Sequence, residues 1–126
     1  IESDNNCLFA IYTLDGKFIG TVKIGHINWR TGVADIGIMI GEKSHWGKGL
    51  AKEAIYLVSD YSFKKLSLRK LTSGCNGRNK PMIKVFENVG YKEEACLKKN
   101  LLLSGEYDDH VFFGLFKENL IQNKIK

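Results

Sequence analysis

Apolar and polar positions along the chain change period several times, and each change marks an element. Cys7 to Leu14 is rich in β-branched and aromatic residues and reads as a strand. Asp15-Gly16 follows as a tight-turn signal. Lys17 to Asn28 gives a second strand, with Phe18, Val22, Ile24 and Ile27 apolar around Gly20 and Gly25. Trp29-Arg30-Thr31-Gly32 is a turn, and Val33 to Ile40 is a third strand. Its two faces differ: Ala34, Ile36, Ile38 and Ile40 are all apolar, whereas Val33, Asp35, Gly37 and Met39 are mixed. The apolar face calls for a helix above it. The mixed face, bare at Gly37, leaves backbone open to a ligand. Three strands joined by short turns form an antiparallel meander.

The period then becomes helical. Leu50, Ala54, Ile55, Val58 and Tyr61 recur at a spacing of 3 to 4. Lys64 and Lys65 close that helix on the favourable side of its dipole. Arg69 to Asn76 alternates again, with Leu71, Ser73 and Cys75 opposite Lys70, Thr72 and Gly74. A helix between two strands predicts a crossover, which makes this fourth strand a parallel neighbour of the third. Asn79-Lys80-Pro81 opens a second helix, with Asn as N-cap and Pro in the first turn. Met82, Ile83, Phe86 and Val89 are its apolar stripe, and Gly90 ends it. Tyr91 to Leu103 and His110 to Phe116 are two further strands joined near Ser104-Gly105-Glu106-Tyr107. That hairpin is expected at the far edge of a mixed sheet. The polar ends, Ile1 to Asn6 and Glu118 to Lys126, add little to it.

The stretch Ser44-His45-Trp46-Gly47-Lys48-Gly49-Leu50-Ala51 sits where the third strand gives way to the first helix. Glycines there allow φ > 0 and let a ligand approach the main chain. The first helical turn carries unpartnered N–H groups at the positive end of the dipole. Together they make a seat for a phosphate or pyrophosphate, to which Lys48 adds a charge. An ordinary glycine turn before a helix has the same spelling. Neither Gly-x-x-x-x-Gly-Lys-Ser/Thr nor Gly-x-Gly-x-x-Gly is present, so a triphosphatase loop and the usual dinucleotide fingerprint are excluded.

At 126 residues, 44% hydrophobic and 26% charged, the chain suits one domain, 1–126, with a real core. No apolar run is long enough to cross a bilayer, and no secretory signal is visible. The chain begins with Ile1 rather than Met, so a native N-terminus is expected to be missing. Cys7, Cys75 and Cys96 are scattered, which suits free thiols in a reducing, cytoplasmic setting. The three histidines have no zinc-ligand spacing, so no metal is expected. The net charge of +5 suits a polyanionic ligand, but no basic arm or RNA-binding signature is present, and nucleic acid is not an expected partner.

With these residues in view, the chain resembles the GNAT superfamily of acetyl-CoA-dependent N-acetyltransferases over nearly its whole length. That family's phosphate loop is Arg/Gln-x-x-Gly-x-Gly/Ala; here it is Trp46-Gly47-Lys48-Gly49-Leu50-Ala51. Its later signature, Asn, helix, then Gly-Phe or Gly-Tyr, is Asn79 through Gly90-Tyr91. The Trp-Gly-Lys-Gly form with Gly105 and Asp109 is most similar to the branch that acetylates ribosomal-protein N-termini, with spermidine and aminosugar acetyltransferases near it. The resemblance implies an α/β (α+β) fold: a mixed, mostly antiparallel twisted sheet with helices on both faces, here without the family's N-terminal strand and helices. It implies acetyl-CoA as co-substrate and no metal. Met39 and Ile40 would offer main chain to the pantetheine arm, lying between the third and fourth strands. Trp46, Gly47, Lys48, Gly49, Leu50 and Ala51 would hold the pyrophosphate, and Asn79 would reach the cofactor. Met82 and Phe86 would line the thioester end. Simple capping by Asn79, and plain core roles for Met82 and Phe86, stand beside these. Trp46 replaces the family's Arg or Gln, and Phe86 stands where many members carry an acidic Tyr.

The implied reaction is direct attack of a primary amine on a thioester in a ternary complex. The amine must lose a proton first. The oxyanion needs main-chain donors, which the third strand offers near Met39. Candidate bases are Asp35, Glu106, Asp109 and His110; Asp35 stands on the open face of the third strand, Asp109 near the final hairpin. Tyr107 is the candidate acid. Two other classes compete: an acetyl-CoA sensor or scaffold without turnover, and a basic nucleic-acid-binding module. Acceptors range from small-molecule to peptide amines, no membrane is implied, and the final hairpin could pair with a second copy as a homodimer.

Overall fold

A computed structural model describes residues 5–40 and 49–121. The elements are β1 (Asn6–Tyr12), β2 (Phe18–Gly25), β3 (Val33–Ile40), α1 (Leu50–Lys64), β4 (Lys70–Asn76), α2 (Lys80–Val89), β5 (Lys92–Leu103) and β6 (Glu106–Phe116), then a short 3-10 turn, Lys117–Asn119. They follow the periodicity of the sequence closely. The final strand starts earlier than its apolar run, because a tight turn at Ser104 and Gly105, with φ of 51° and 80°, reverses the chain just before Glu106. Such paired positive φ values match the right-handed twist of the flanking strands.

The six strands form one sheet in the order β1-β2-β3-β4-β6-β5. Only β3 and β4 run parallel; the other neighbours are antiparallel. The crossover through α1 is what makes that pair parallel. The final hairpin lies at the edge, with β6 inserted between β4 and β5.

One sheet face carries the core. Val22 and Ile24 of β2, Ala34 and Ile36 of β3, Leu71 of β4, and Val111, Phe113 and Leu115 of β6 are all buried there. Both helices reach the same cluster, α1 through Ile55, Val58 and Phe63, α2 through Phe86 and Val89. The expected helical cover of the apolar face of β3 is therefore present. In one detail the expectation is corrected: the two helices share a face, and no described helix covers the other. Both crossovers, β3 to β4 through α1 and β4 to β5 through α2, join strands of like direction and step the same way across the sheet, so right-handed connections put both helices on one side.

The apolar stripe of α1 is rotated from the one its large residues suggest. Tyr61 is 39% exposed and meets Phe9 edge-on at 5.4 Å, whereas Ser59 and Ser62 are fully buried. Ser62 satisfies its hydroxyl by donating to the Val58 carbonyl at 2.8 Å, and Ser59 pairs with the Tyr91 hydroxyl at 2.8 Å. Two small polar residues thus fit an apolar seam because each finds a partner. Gly90 ends α2 at φ 121°, and a Cβ there would run into the main chain of Asn119.

Candidate active site

The feature that sets the site is where the parallel pairing stops. β3 and β4 pair only at Val33–Lys70, Ala34–Leu71 and Asp35–Thr72. β3 continues to Ile40 and β4 to Asn76, each held on its outer side by β2 or β6. Beyond Asp35 and Thr72 the two strands no longer pair, and the main chain facing the gap has no ladder partner among the described residues. Unpaired backbone groups in a sheet interior demand a partner. An extended amide-bearing arm can supply it as an added strand would.

Three further observations converge on the gap. Gly49 precedes α1 at φ 78°, and among the described residues no side chain caps the start of the helix. That is the arrangement that binds phosphate. Ser73, the first β4 residue past the last parallel pair, is fully buried, and its hydroxyl has no hydrogen-bond partner among the described residues. Gly37 leaves clear space on the open face: a Cβ there would meet nothing within 4 Å. A phosphorylated cofactor with an amide-rich arm and a thiol end fits these groups. The open helix end takes phosphate, the strand edges take amides, and Ser73 takes a polar atom.

Each expected site residue has a definite place. Met39 is 72% exposed, opposite Thr21 of β2, and Ile40 closes β3 opposite Gly20. Gly49, Leu50 and Ala51 form the entry to α1. Trp46, Gly47 and Lys48 lie outside the described residues. Asn79 caps α2, its side-chain oxygen accepting from the Met82 N–H at 3.2 Å. Met82 is partly buried. Phe86 is 2% exposed, its ring 5.4 Å from both Tyr91 and Phe113. The capping and core alternatives for Asn79 and Phe86 are thus realised in the described geometry. The hydroxyl nearest Phe86 along the chain, on Tyr91, is turned to Ser59, and burial holds its pKa far above the ordinary range.

Asp35 stands on the face without helices, at the last parallel pair. Its Oδ1 accepts from the Thr72 hydroxyl at 2.7 Å. Loss of water around the carboxyl raises its pKa, while the Thr72 hydrogen bond and the His110 charge oppose the rise. An acid so raised is a better proton acceptor. His110 reaches the same region from β6. Its ring stacks on Phe112 at 4.1 Å, and its Nε2 lies 3.2 Å from where a Cβ on Gly74 would stand. Thr72 escaped the sequence reading as the partner of Asp35 because the alternation of β3 and β4 does not record the register between them.

The structure does not bring Asp109 or Tyr107 to Asp35. Asp109 Oδ1 accepts from the Lys99 N–H at 3.0 Å, and Lys98 Nζ lies 3.4 Å from its Oδ2. These bonds lower its pKa and tie the final hairpin together. Asp108 beside it is 8% exposed and accepts from Asn76 Nδ2 at 2.9 Å and the Arg78 N–H at 3.2 Å. Tyr107 is 63% exposed near the hairpin tip, on the strand parity of Val111 rather than of His110. Glu106 is engaged by Arg78 Nη1 at 2.6 Å. Among the described residues no group of three or more His, Cys, Asp and Glu could hold a metal, and no helix is long and apolar enough to cross a membrane.

Comparisons with known proteins point the same way. Residues 1–92 match the acetyltransferase (GNAT) domain model. The chain is 36% identical over 112 residues to a probable N-acetyltransferase, YjcK, of Bacillus subtilis, covering 87% of this chain and 61% of that protein. It is 31% identical over 101 residues to spermidine N(1)-acetyltransferase of Vibrio cholerae, covering 80% and 58%. The chain thus spans about three-fifths of the length of these curated relatives. Among solved structures, a mutant of the Vibrio cholerae spermidine N-acetyltransferase SpeG superposes with a TM-score of 0.87 at 26% identity, covering 99% of this chain and 73% of that one. The same enzyme in complex with CoA and spermine gives 0.85 at 27% identity, covering 92% and 68%. The parted parallel strands, the glycine entry to α1 and the matched domain model lead to one conclusion: the chain belongs to the GNAT acetyltransferase family.

Proposed function

We propose that the protein transfers the acetyl group of acetyl-CoA to a primary amine, by direct attack within a ternary complex. The observation that carries this reading is the end of parallel pairing at Asp35 and Thr72, together with the glycine entry to α1 at Gly49. Acetyl-CoA, when bound, supplies an activated acetyl thioester. The chain's own residues do the rest. The edges of β3 at 36–40 and of β4 at 73–76 grip the pantetheine amides, with Met39 and Ile40 on the first. Gly49 and the first helical turn through Leu50 and Ala51, with the sequence Trp46, Gly47 and Lys48 before them, seat the pyrophosphate. Asn79 reaches the cofactor from the start of α2, and Met82 and Phe86 line its thioester end. Asp35 draws in the protonated amine on the open face and accepts its proton. Holding both substrates in register supplies a large part of the rate.

The acceptor we favour is a polyamine or a similar small amine. Relatives that carry this name support it, together with an open acidic position at Asp35 that attracts a cation. The ribosomal-protein N-terminus suggested by the glycine-loop spelling is the narrower competitor, and a peptide with a free α-amine tests it. The whole chain is taken as one acetyltransferase unit of a reducing, cytoplasmic setting, where its three thiols, all free in the structure, remain reduced. Thiol release from acetyl-CoA, followed with spermidine and then with a panel of amines and free-N-terminal peptides, tests the reading. Amine-dependent release supports it. Binding of CoA without release under every amine favours a non-catalytic acetyl-CoA sensor instead.

A further inference from the structure

The hydroxyl of Ser73 is fully buried and has no hydrogen-bond partner among the described residues. The other two buried serines differ from it. Ser62 donates to the Val58 carbonyl, and Ser59 pairs with the Tyr91 hydroxyl. A hydroxyl that leaves water and gains no partner costs free energy. In a native fold such a group calls for an explanation, and a ligand atom that completes it is one.

The place of Ser73 in the sheet narrows what that atom is. It directly follows Thr72, the last β4 residue that pairs with β3, so it stands at the closed end of the gap. Alternation sets its side chain on the face of Leu71 and Cys75, which is the face the helices cover. Its register partner on β6 is Phe113, whose ring lies 5.4 Å from that of Phe86 on α2. On the β3 side the next residue of this face after Ala34 is Ile36, which is 2% exposed. The neighbours that the register gives Ser73 are therefore apolar, and none of them can accept its proton.

The gap also has a direction. β3 and β4 pair near their starts and are unpaired toward Ile40 and Asn76. A crossover between parallel strands returns α1 antiparallel to them, so the start of α1 is level with the open end. A cofactor seated there by its phosphates runs its arm inward and ends at Ser73. Along the way the amides of the arm pair with strand main chain in the plane of the sheet. The side chain of Ser73 stands out of that plane. The group of the arm that lies past its last amide is the thioester.

We propose that the Ser73 hydroxyl donates a hydrogen bond to the thioester group of acetyl-CoA, which makes Ser73 a cofactor-binding residue at the closed end of the gap. The inference rests on the acetyl-transfer reading above and adds to it the side chain that recognises the reactive end. It has a thermodynamic signature. The free protein carries the cost of an unpaired hydroxyl, and the complex does not. Removing the hydroxyl therefore relieves the free protein and weakens the complex. A serine that merely held the fold together would act in the opposite sense on the free protein.

The test sets the thermal stability of the free protein beside cofactor affinity, in wild type and Ser73→Ala. Calorimetry measures binding of acetyl-CoA and of adenosine bisphosphate, the part of CoA that lacks the arm. Free Ser73→Ala is expected to melt no lower than wild type. Its affinity for acetyl-CoA should fall by about fivefold or more, and its affinity for adenosine bisphosphate should not change. The rise in melting temperature on adding acetyl-CoA should shrink accordingly. A free variant that melts lower than wild type, an unchanged affinity for acetyl-CoA, or an equal loss for both ligands overturns the role of Ser73. Failure of wild type to bind acetyl-CoA overturns the acetyl-transfer reading instead, and this inference with it.

Discussion

At the scale of single residues, the account turns on Asp35. Its carboxyl is raised by loss of water and eased by the Thr72 hydroxyl. The native state therefore binds a proton more readily than the unfolded chain, and this group's contribution to stability falls as pH rises from the ordinary carboxylate value through the raised one. Asp35→Asn keeps an oxygen to accept from Thr72 and removes that liability. The variant is expected to melt no lower than wild type at neutral pH and to lose about a hundredfold in kcat/KM for an amine acceptor. A variant with unchanged turnover across pH removes Asp35 from the reaction. Tyr91 and Ser59 give a structural contrast. They satisfy each other in full burial. Tyr91→Phe should cost about 1–3 kcal/mol by orphaning the Ser59 hydroxyl, and adding Ser59→Ala should recover much of it. Chemical denaturation of the three variants measures both.

At the scale of elements, the start of α1 and the end of α2 are the sensitive points. Gly49→Ala forces a Cβ into φ 78° and shifts the helix end that would seat phosphate. We expect about 1–2 kcal/mol of destabilisation and a raised KM for acetyl-CoA at nearly constant kcat for the amine step. Steady-state kinetics with each substrate varied separates the two. Most of the elements could be read from the chain, because strand alternation at 33–40 and helical spacing from Leu50 and Met82 are local signals. The parting of β3 from β4 could not be read from pattern alone: Ile36, Ile38, Ser73 and Cys75 look the same whether or not the strands stay paired. Resemblance supplied it. The sharing of one face by both helices and the place of β6 between β4 and β5 follow from the strand order, and no local pattern records that order. The glycine loop itself was legible only as spelling, and Trp46, Gly47 and Lys48 lie outside the described residues. Asp109 entered as a site residue by resemblance and Tyr107 as a substitute for the acid missing at Phe86; in the structure Asp109 binds Lys98 and the Lys99 N–H across the final hairpin.

At the scale of the whole molecule, a sheet with one buried and one open face divides the labour. The buried face, through Phe86, Phe113, Leu71 and Ile24, supplies stability. Phe86→Ala should cost about 3–5 kcal/mol, readable as a drop in the denaturation midpoint. The open face, through Asp35, Gly37 and Thr72, is where the proposed reaction has an amine approach the gap between β3 and β4. A polyanion-binding module predicts instead that affinity for DNA or RNA falls steeply with salt and ignores CoA. The most direct measurement is a crystal structure of the protein with CoA. The account predicts the pantetheine arm between β3 and β4, hydrogen-bonded to main chain within 36–40 and 73–76, with the pyrophosphate at the N-terminus of α1. A complex in which those strand edges pair with each other along their length and CoA lies elsewhere contradicts it.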